Sequence, residues 1–426
     1  MSRTSVERAY ELARERYAEL GVDTEEAMAT LASVPLSVHC WQGDDVGGFE
    51  RPDATLSGGG IEVTGSHPGR ARTVDELRMD MEKAFSLIPG RHRANIHAMY
   101  GEFGGTVVDR DGIDETHYRG WVDWAKAKDL KLDFNATCFS HPKAESGFTL
   151  SHYDPAIHRF WIEHVKRSRA ISAWMGRELG SPCLHNLWVP DGSKEGPADR
   201  WERRQRLRES LDEIYATSYR PTEMKDAVES KLFGIGSEAF VVGSYDFYLG
   251  YAQARGMMVC LDMGHFHPTE SIADKVSSLL PFFHGLLIHV SRGVRWDSDH
   301  VVILDDATMA LMEEVVRADA LDRVHFSLDF FDASLNRVGA WVIGGRAAQQ
   351  ALLLALLEPR ERLKEAEERG DAFARLALTE SLKTMPFGAV WDRYCITMEV
   401  PAGLGWRQEV ADYEAKVTSR REGSRR

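Results

Sequence analysis

The stretch MMVCLDMGHFHPTE (257–270), followed after a short amphipathic segment by HGLLIHVSRGVRWDSDH (284–300), decides how the rest of the chain is read. Two apolar runs in it, 259–261 and 286–288, each end in acidic and imidazole side chains. Asp262 and His265 follow the first; His289, Asp297 and Asp299 follow the second. A short apolar run bounded by turn signals is the pattern of a strand buried on both faces, and polar groups at its C-terminal end predict a site mounted on a parallel sheet.

Working outward, the same kind of run recurs at 37–41, 94–100, 130–139, 183–190, 227–233 and 324–330, which with 257–264 and 285–290 makes eight candidate strands. Helix-periodic segments lie between them at 74–87, 118–128, 156–179, 200–217, 245–255, 272–283 and 307–318. Ser244 and Asp306 stand as N-cap residues before two of these. Strand and helix alternating eight times predict an α/β fold, a (β/α)₈ TIM barrel. A doubly wound open sheet is the alternative, but no G-x-G-x-x-G or G-x-x-x-x-G-K-[ST] follows the first strand. The SGGG run at 57–60 is read as a flexible link, with a lid over the site as the other reading. The expected division is an N-terminal helical segment (1–36), the catalytic barrel (37–337) and a C-terminal helical extension (338–426), with a further strand candidate at 396–400. The C-terminal helices are read as packing on the barrel's outside, and the apolar run at 351–357 can also be buried against another subunit, so a homo-oligomer is expected.

Composition narrows the function. The 52 basic and 66 acidic residues leave a net charge of −14, and the basic ones are dispersed apart from the terminal SRREGSRR, so nucleic acid is not an expected partner. The apolar runs are far shorter than a membrane span. The charged, helix-periodic N-terminus lacks the features of a signal peptide, which makes the cytoplasm the expected compartment. Five cysteines without paired spacing (Cys40, Cys138, Cys183, Cys260, Cys395) are expected to be buried free thiols.

Barrel enzymes build their sites at the C-terminal ends of the strands. Those ends hold Trp41, His97, Asn135, Trp188, Glu229 with Lys231, Asp262 with His265, His289, and Asp329; Asp297 and Asp299 follow in the loop after the seventh strand. In a strand, Glu229 and Lys231 would share a face and both project into the barrel mouth. Taken singly, an E-x-K is a salt bridge, an Asp is a cap and a His is a satisfied core group. Together, five carboxylates (Glu229, Asp262, Asp297, Asp299, Asp329) and one ammonium carry −4, which burial does not tolerate without compensation; two divalent cations balance it. Oxygen and imidazole donors suit Mn²⁺, Mg²⁺, Zn²⁺ or Co²⁺. Glu229, Asp262, His289 and Asp329 are assigned to one ion. His265, Asp297 and Asp299 are assigned to a second, more open one, with His267 as a competing ligand.

At this point the chain resembles a family. VHCWQGDDVGGFE (38–50), DFNATCFSHP (133–142), SGFTLSH (146–152), DAVESKLFGIG (226–236), LDMGHFHPTE (261–270), HVSRGVRWDSDHVVILDD (289–306) and LDFFDASLNR (328–337) are similar to the motifs of L-rhamnose isomerases of the enterobacterial and Bacillus type, and the likeness runs from end to end. The resemblance implies a barrel related to xylose isomerase, a homotetramer, and interconversion of L-rhamnose and L-rhamnulose with Mn²⁺ as the preferred ion. It also implies a structural metal on Glu229, Asp262, His289 and Asp329, and a catalytic metal on His265, Asp297 and Asp299.

The parts suggest a mechanism. Metal-bound vicinal oxygens polarise the carbonyl and acidify the C2 hydroxyl, Lys231 donates to the developing negative oxygen, and hydride moves from C2 to C1. An enediol route would need a base over C2, and the candidates by position, the catalytic Asp329 or a metal-bound hydroxide, are already engaged as a ligand or its water. Trp41, His97 and Trp188 are expected to bind substrate, the indoles against C–H faces and the 6-deoxy methyl group, the imidazole against a hydroxyl or ring oxygen. The alternatives are an isomerase of another L-aldose (L-lyxose or L-mannose), a metal-dependent barrel phosphoesterase, and a non-enzymatic metal-stabilised barrel.

Overall fold

Eight parallel strands close on themselves: β1 (Pro35–His39), β2 (Arg91–His97), β3 (Lys131–Asn135), β4 (Cys183–Trp188), β5 (Met224–Glu229), β6 (Met258–Asp262), β7 (Leu286–Val290) and β8 (Val324–Leu328), with β8 pairing back onto β1. The structure, a computed structural model, describes residues 3–41, 47–50, 65, 67–233, 236–295 and 299–421. The SGGG run and Asp297 lie outside the described residues.

The period-2 alternation of each strand sorts its side chains. Val38, Ile96, Phe134, Leu187, Val228, Leu261, Ile288 and Phe326 point outward into one continuous core shared with the helices. The inward positions carry a separate apolar layer of Leu184, Ala227, Met258, Cys260 and Leu287. Polar inward residues lie on both sides of that layer, so the interior is filled rather than open, and two chemically distinct ends result.

The surrounding ring is built from α3 (Val74–Phe85), α4 (Arg119–Ala127), α5 (Pro155–Leu179), α6 (Arg200–Ile214), α7 (Tyr245–Arg255), α8 (Ile272–Leu279), α9 (Asp306–Arg317) and α10 (Arg337–Leu356). Before β1 the N-terminal helical segment forms two helices, α1 (Arg3–Glu19) and α2 (Thr24–Ser33); Gly21 (φ +81°) ends the first, and Asp23 caps the second by accepting from Glu25 N and Glu26 N. After α10 come α11 (Arg360–Glu368), α12 (Ala372–Leu382), α13 (Phe387–Thr397) and α14 (Gly405–Lys416). Helix α1 lies against α13, and α14 against α10.

All eight expected strands are present, and several end earlier than the sequence suggests, because polar or turn residues follow directly: 98–100 form a 3₁₀ turn, and 136–139 leave the sheet. The expected strand at 396–400 is instead the end of α13 and a turn; Val390, Tyr394 and Cys395 recur at helical spacing and are buried. At α9 the capping side chain is Asp305, which accepts from Thr308 N at 2.9 Å, and Asp306 is the first helical residue. Ser244 sits at the N-cap of α7 without a side-chain capping bond.

The apolar run at 351–357 belongs to α10 and the residue after it. Ala351, Leu352, Leu353, Ala355 and Leu357 are buried within the chain's own core, so that run is not a surface for another subunit. Helix α10 packs on α9, α3 and β1, and therefore closes the ring; the expected division at 337/338 falls at its start. All five cysteines are buried and free. Among the described residues no single helix is long and apolar enough to cross a membrane.

Candidate functional site

The parallel arrangement brings β5, β6, β7 and β8 side by side, and register sets their last inward residues next to one another: Asp262 pairs in register with His289, and Glu229 with Cys260. Around His289 the carboxylates converge. Its Nδ1 lies 3.1 Å from Asp329 Oδ2, 3.3 Å from Asp262 Oδ2 and 3.4 Å from Glu229 Oε1, and no hydrogen bond closes these contacts. Glu229, Asp262 and His289 are almost fully buried. These four residues each offer one donor atom within 4.8 Å of the others.

A second group, Asp262, His265 and Asp299, meets the same limit and shares Asp262 with the first. His265 Nδ1 stands 3.1 Å from Glu229 Oε1, and its Nε2 stands 3.9 Å from Asp299 Oδ2. Gly264 belongs to the same construction: a Cβ there would fall 2.1 Å from Asp299 Oδ1, so only glycine lets the backbone pass between the two acids. His267 is exposed, with Nδ1 2.8 Å from Thr269 Oγ1, and stands in neither group.

Burial opposes the charge on each carboxylate, yet the neighbouring imidazoles outweigh it. His289 and His265 hold Glu229 down at about 2, and His39, His289 and His97 hold Asp329 well below the usual carboxylate range. Burial also opposes an imidazolium at His289, but Cys260, Glu229, Asp262 and Asp329 together raise it well above its ordinary value. The dense set of oxygen and imidazole donors is what a divalent cation requires, and a cation held there offsets most of the charge that the buried acids carry. Cys260 also lies close to Glu229 and His289, but burial pushes its thiol up, which disfavours the thiolate a metal would need.

Three side chains that orient the acids were not singled out from the sequence. His39 on β1 donates from Nδ1 to Leu328 O at 2.7 Å, which fixes its tautomer and turns Nε2 toward Asp329 Oδ2 at 3.4 Å. Asn186 on β4 donates to Glu229 Oε2 at 2.5 Å, and Ser291 donates to Asp262 Oδ1 at 2.8 Å. His39 and Asn186 each precede a flagged tryptophan by two residues, so the alternation that places Trp41 and Trp188 inward could have found them.

Above the acids lies a pocket whose wall includes Trp41, His97, Phe139, Trp188, His265 and Asp329. The rings of Trp41 and His97 are 3.9 Å apart, and burial keeps His97 neutral by lowering its pKa well below the ordinary value. Trp41 has a further contact: its indole N–H donates to Asp329 Oδ1 at 2.6 Å. Trp188 stacks over His265 at 6.0 Å. Strand β5 ends at Glu229, so Lys231 lies just beyond it. There it is buried, with its ammonium 5.7 Å from the centre of the Trp188 ring on the edge of the same constellation.

Comparison with known proteins settles the family. Residues 4–421 match the family model described as L-rhamnose isomerase (RhaA). The L-rhamnose isomerase of Rhodopirellula baltica is 56% identical over 420 residues, which cover 99% of this chain and 98% of the relative. The chain belongs to the L-rhamnose isomerase family. The L-rhamnose isomerase of Bacteroides thetaiotaomicron is 55% identical over 416 residues, 98% of this chain and 99% of the relative. Among solved structures the chain is similar to an L-ribulose 3-epimerase, at 11% identity over 78% of this chain and 97% of that one, with a TM-score of 0.48. The chain is thus an aldose–ketose isomerase of rhamnose catabolism acting on a small sugar, and the acid and imidazole groups above are its candidate metal-binding groups.

Proposed function

We propose that the chain interconverts L-rhamnose and L-rhamnulose at two divalent cations by a hydride shift. The observation that carries this reading is the convergence of three carboxylate oxygens on the buried His289 Nδ1 at 3.1–3.4 Å, beside a second group that faces the pocket. Glu229, Asp262, His289 and Asp329 would hold one ion, Mn²⁺, Zn²⁺, Mg²⁺ or Co²⁺. His265, Asp299 and Asp297, the last outside the described residues, would hold the catalytic Mn²⁺, with Asp262 shared.

When bound, the ions supply Lewis-acid polarisation of the sugar's vicinal oxygens. Lys231 supplies a hydrogen bond to the oxygen that becomes negative, and Asp329, held ionised, remains a ligand rather than a base. The indoles of Trp41 and Trp188 and the Phe139 ring offer the apolar wall that a 6-deoxy methyl and C–H faces need, while His97, kept neutral, can both accept and donate to a hydroxyl. With every strand-end carboxylate engaged, no base is left over C2. Hydride then passes from C2 to C1 as the proton moves between the two oxygens. We also propose that the barrel, expected over 37–337 and closed by α10, carries the chemistry, that helices of the 338–426 extension beyond α10 join copies into a homotetramer, and that the enzyme works in the cytoplasm.

The test is to strip the protein with a chelator and assay L-rhamnose with and without Mn²⁺, with circular dichroism following the fold. Metal-dependent L-rhamnulose is expected. No ketose from folded, metal-loaded protein would sink the assignment, and L-lyxose or L-mannose would be tried next. Running the reaction in D₂O separates the routes: hydride transfer leaves C1 free of deuterium, whereas an enediol takes it up.

A further inference from the structure

Behind the pocket wall lies a buried guanidinium that the chemistry above does not use. Arg110, in the link between β2 and α4, is 1% exposed, and all five of its N–H donors are engaged. Nε donates to Glu50 Oε1 and Oε2 at 3.0 and 3.1 Å, and Nη2 donates to Glu50 Oε1 at 2.5 Å. Nη1 donates to Thr137 O and Phe139 O, both at 2.5 Å, and Nη2 also to Ser140 O at 3.1 Å. One side chain thus ties its own loop, after β2, to the loop after β1 through Glu50, and to the loop after β3 at three carbonyls. Lysine, with its donors on a single nitrogen, cannot reproduce that fork.

The backbone of Arg110 belongs to the same construction. Thr137 N donates to His164 Nε2 at 3.0 Å, so that ring carries its proton on Nδ1, which donates to Arg110 O at 3.1 Å. Burial and the Arg110 charge keep the ring neutral, holding His164 down at about 3. Ser140 has φ +50°, a left-handed conformation that persists in a non-glycine residue only where its surroundings over-determine it, and the bond from Nη2 to its carbonyl is one such constraint. These bonds fix the backbone at and around Phe139. The Phe139 ring lies 5.5 Å from that of Trp188, 6.1 Å from that of His97 and 6.2 Å from that of Trp41, all in the pocket wall. In the closed strand order β3 stands across the ring from β7, whose His289 is at the centre of the candidate metal groups. A sugar with its C1 and C2 oxygens at those groups therefore extends its C6 end toward Trp41, His97 and Phe139.

We propose that Arg110 is a positioning residue for substrate choice: by clamping 137–140 against Glu50 it sets the Phe139 ring against the 6-deoxy methyl and so favours L-rhamnose over sugars without that carbon. The inference rests on the sugar-binding reading proposed above. Arg110 does not itself line the pocket, so it acts through Phe139. A displaced Phe139 loses the methyl contact, while the other end of the sugar is held by groups on β5 to β8.

The test is a double-mutant cycle on the metal-loaded full chain, measured with L-rhamnose and with L-lyxose, which shares the configuration at C2, C3 and C4 and lacks the methyl carbon. The ratio of the two kcat/KM values in the unaltered enzyme is the reference; no ketose from either sugar at that stage is a failure of the isomerase reading, seen before any variant is made. Phe139→Ala should lower the ratio by about 10-fold or more, the range for losing one methyl-sized contact in an apolar pocket. Arg110→Lys should lower it by a similar factor, through KM for L-rhamnose, with L-lyxose nearly unchanged. The double variant should fall no further than Phe139→Ala alone, since the two residues act as one unit. Equal losses on both sugars in Arg110→Lys, a ratio that neither single variant moves, or losses that multiply in the double variant would overturn the proposal. Should Arg110→Lys not fold, Glu50→Gln takes its place in the cycle, because it keeps the shape of the pair and removes the carboxylate that anchors the clamp. The same fall, smaller in size, is then expected, and an unchanged ratio overturns the proposal.

Discussion

An ammonium 5.7 Å from the centre of the Trp188 ring and two residues beyond the buried Glu229 stands beside the candidate metal groups without being one of them. Replacing it should therefore separate chemistry from assembly. Lys231→Met is expected to lower kcat by roughly 10²–10³, the range for removing one hydrogen-bond donor to a developing negative oxygen, with metal content and Tm nearly unchanged. Metal analysis of the purified variant checks this; a variant that has lost its metal would instead make Lys231 a structural counter-charge. Trp41 leads to the opposite expectation. Its indole N–H donates to Asp329 Oδ1 at 2.6 Å, so Trp41→Phe should keep the aromatic wall yet weaken metal binding by about 10–100-fold, as loss of a group that orients a ligand does. Competition with a chelator reads that affinity directly. The sequence marked Trp41 as an inward aromatic against the sugar, without a contact to any acid. Which acid its N–H meets depends on how β8 closes onto β1, 288 residues away, and nothing local in SVHCW encodes that.

At the scale of elements, the strands were legible because their outward faces are mostly apolar, broken by His92 in β2, His185 in β4 and Asp226 in β5, and their ends were blurred because the polar residues that do the work are the last paired residues or follow them directly. The apolar run 351–357 left two readings open for a related reason: a helix that is apolar nearly all round reads equally well as core or as interface, and α10 is core. Least visible were the charges inside β2 and β3, since RHRANIH and KLDFN read as half-exposed strands. In the fold Arg93 and Asp133 meet inside the barrel and bind β1, β2, β3 and the start of β4 together. Asp133→Asn should destabilise by about 3–5 kcal/mol at neutral pH, because it leaves the Arg93 charge buried without its counter-charge. Burial opposes the Asp133 charge, but Arg93 outweighs it and sets the carboxyl below its ordinary value of about 3.9. A lowered folded-state value gives stability that is complete above the unfolded value and is lost as pH falls through the folded one. The Tm gap between wild type and variant should therefore be widest near neutral pH and narrow as the solution is acidified below about pH 4. A gap independent of pH would mean that shape, not charge, holds the pair.

For the whole molecule, the closed ring with α10 as its eighth helix leaves the later helices with unequal roles. Helices α13 and α14 pack back onto the chain, whereas α12 buries none of its side chains in it. Phe373 is 83% exposed and Leu376 59% exposed, and with Ala377 they form one helical face at i, i+3 and i+4. A face of this kind costs solubility unless another surface covers it. The homotetramer proposed above offers an occupant, a second copy of the chain. Phe373→Asp combined with Leu376→Asp should then shift the enzyme to smaller species in sedimentation velocity and lower its Tm, while each separated chain keeps its metal groups, since none of them lies near α12 in sequence. If the double variant sediments as wild type does, α12 is outside the assembly, and the contact between copies must be sought on another face of the ring.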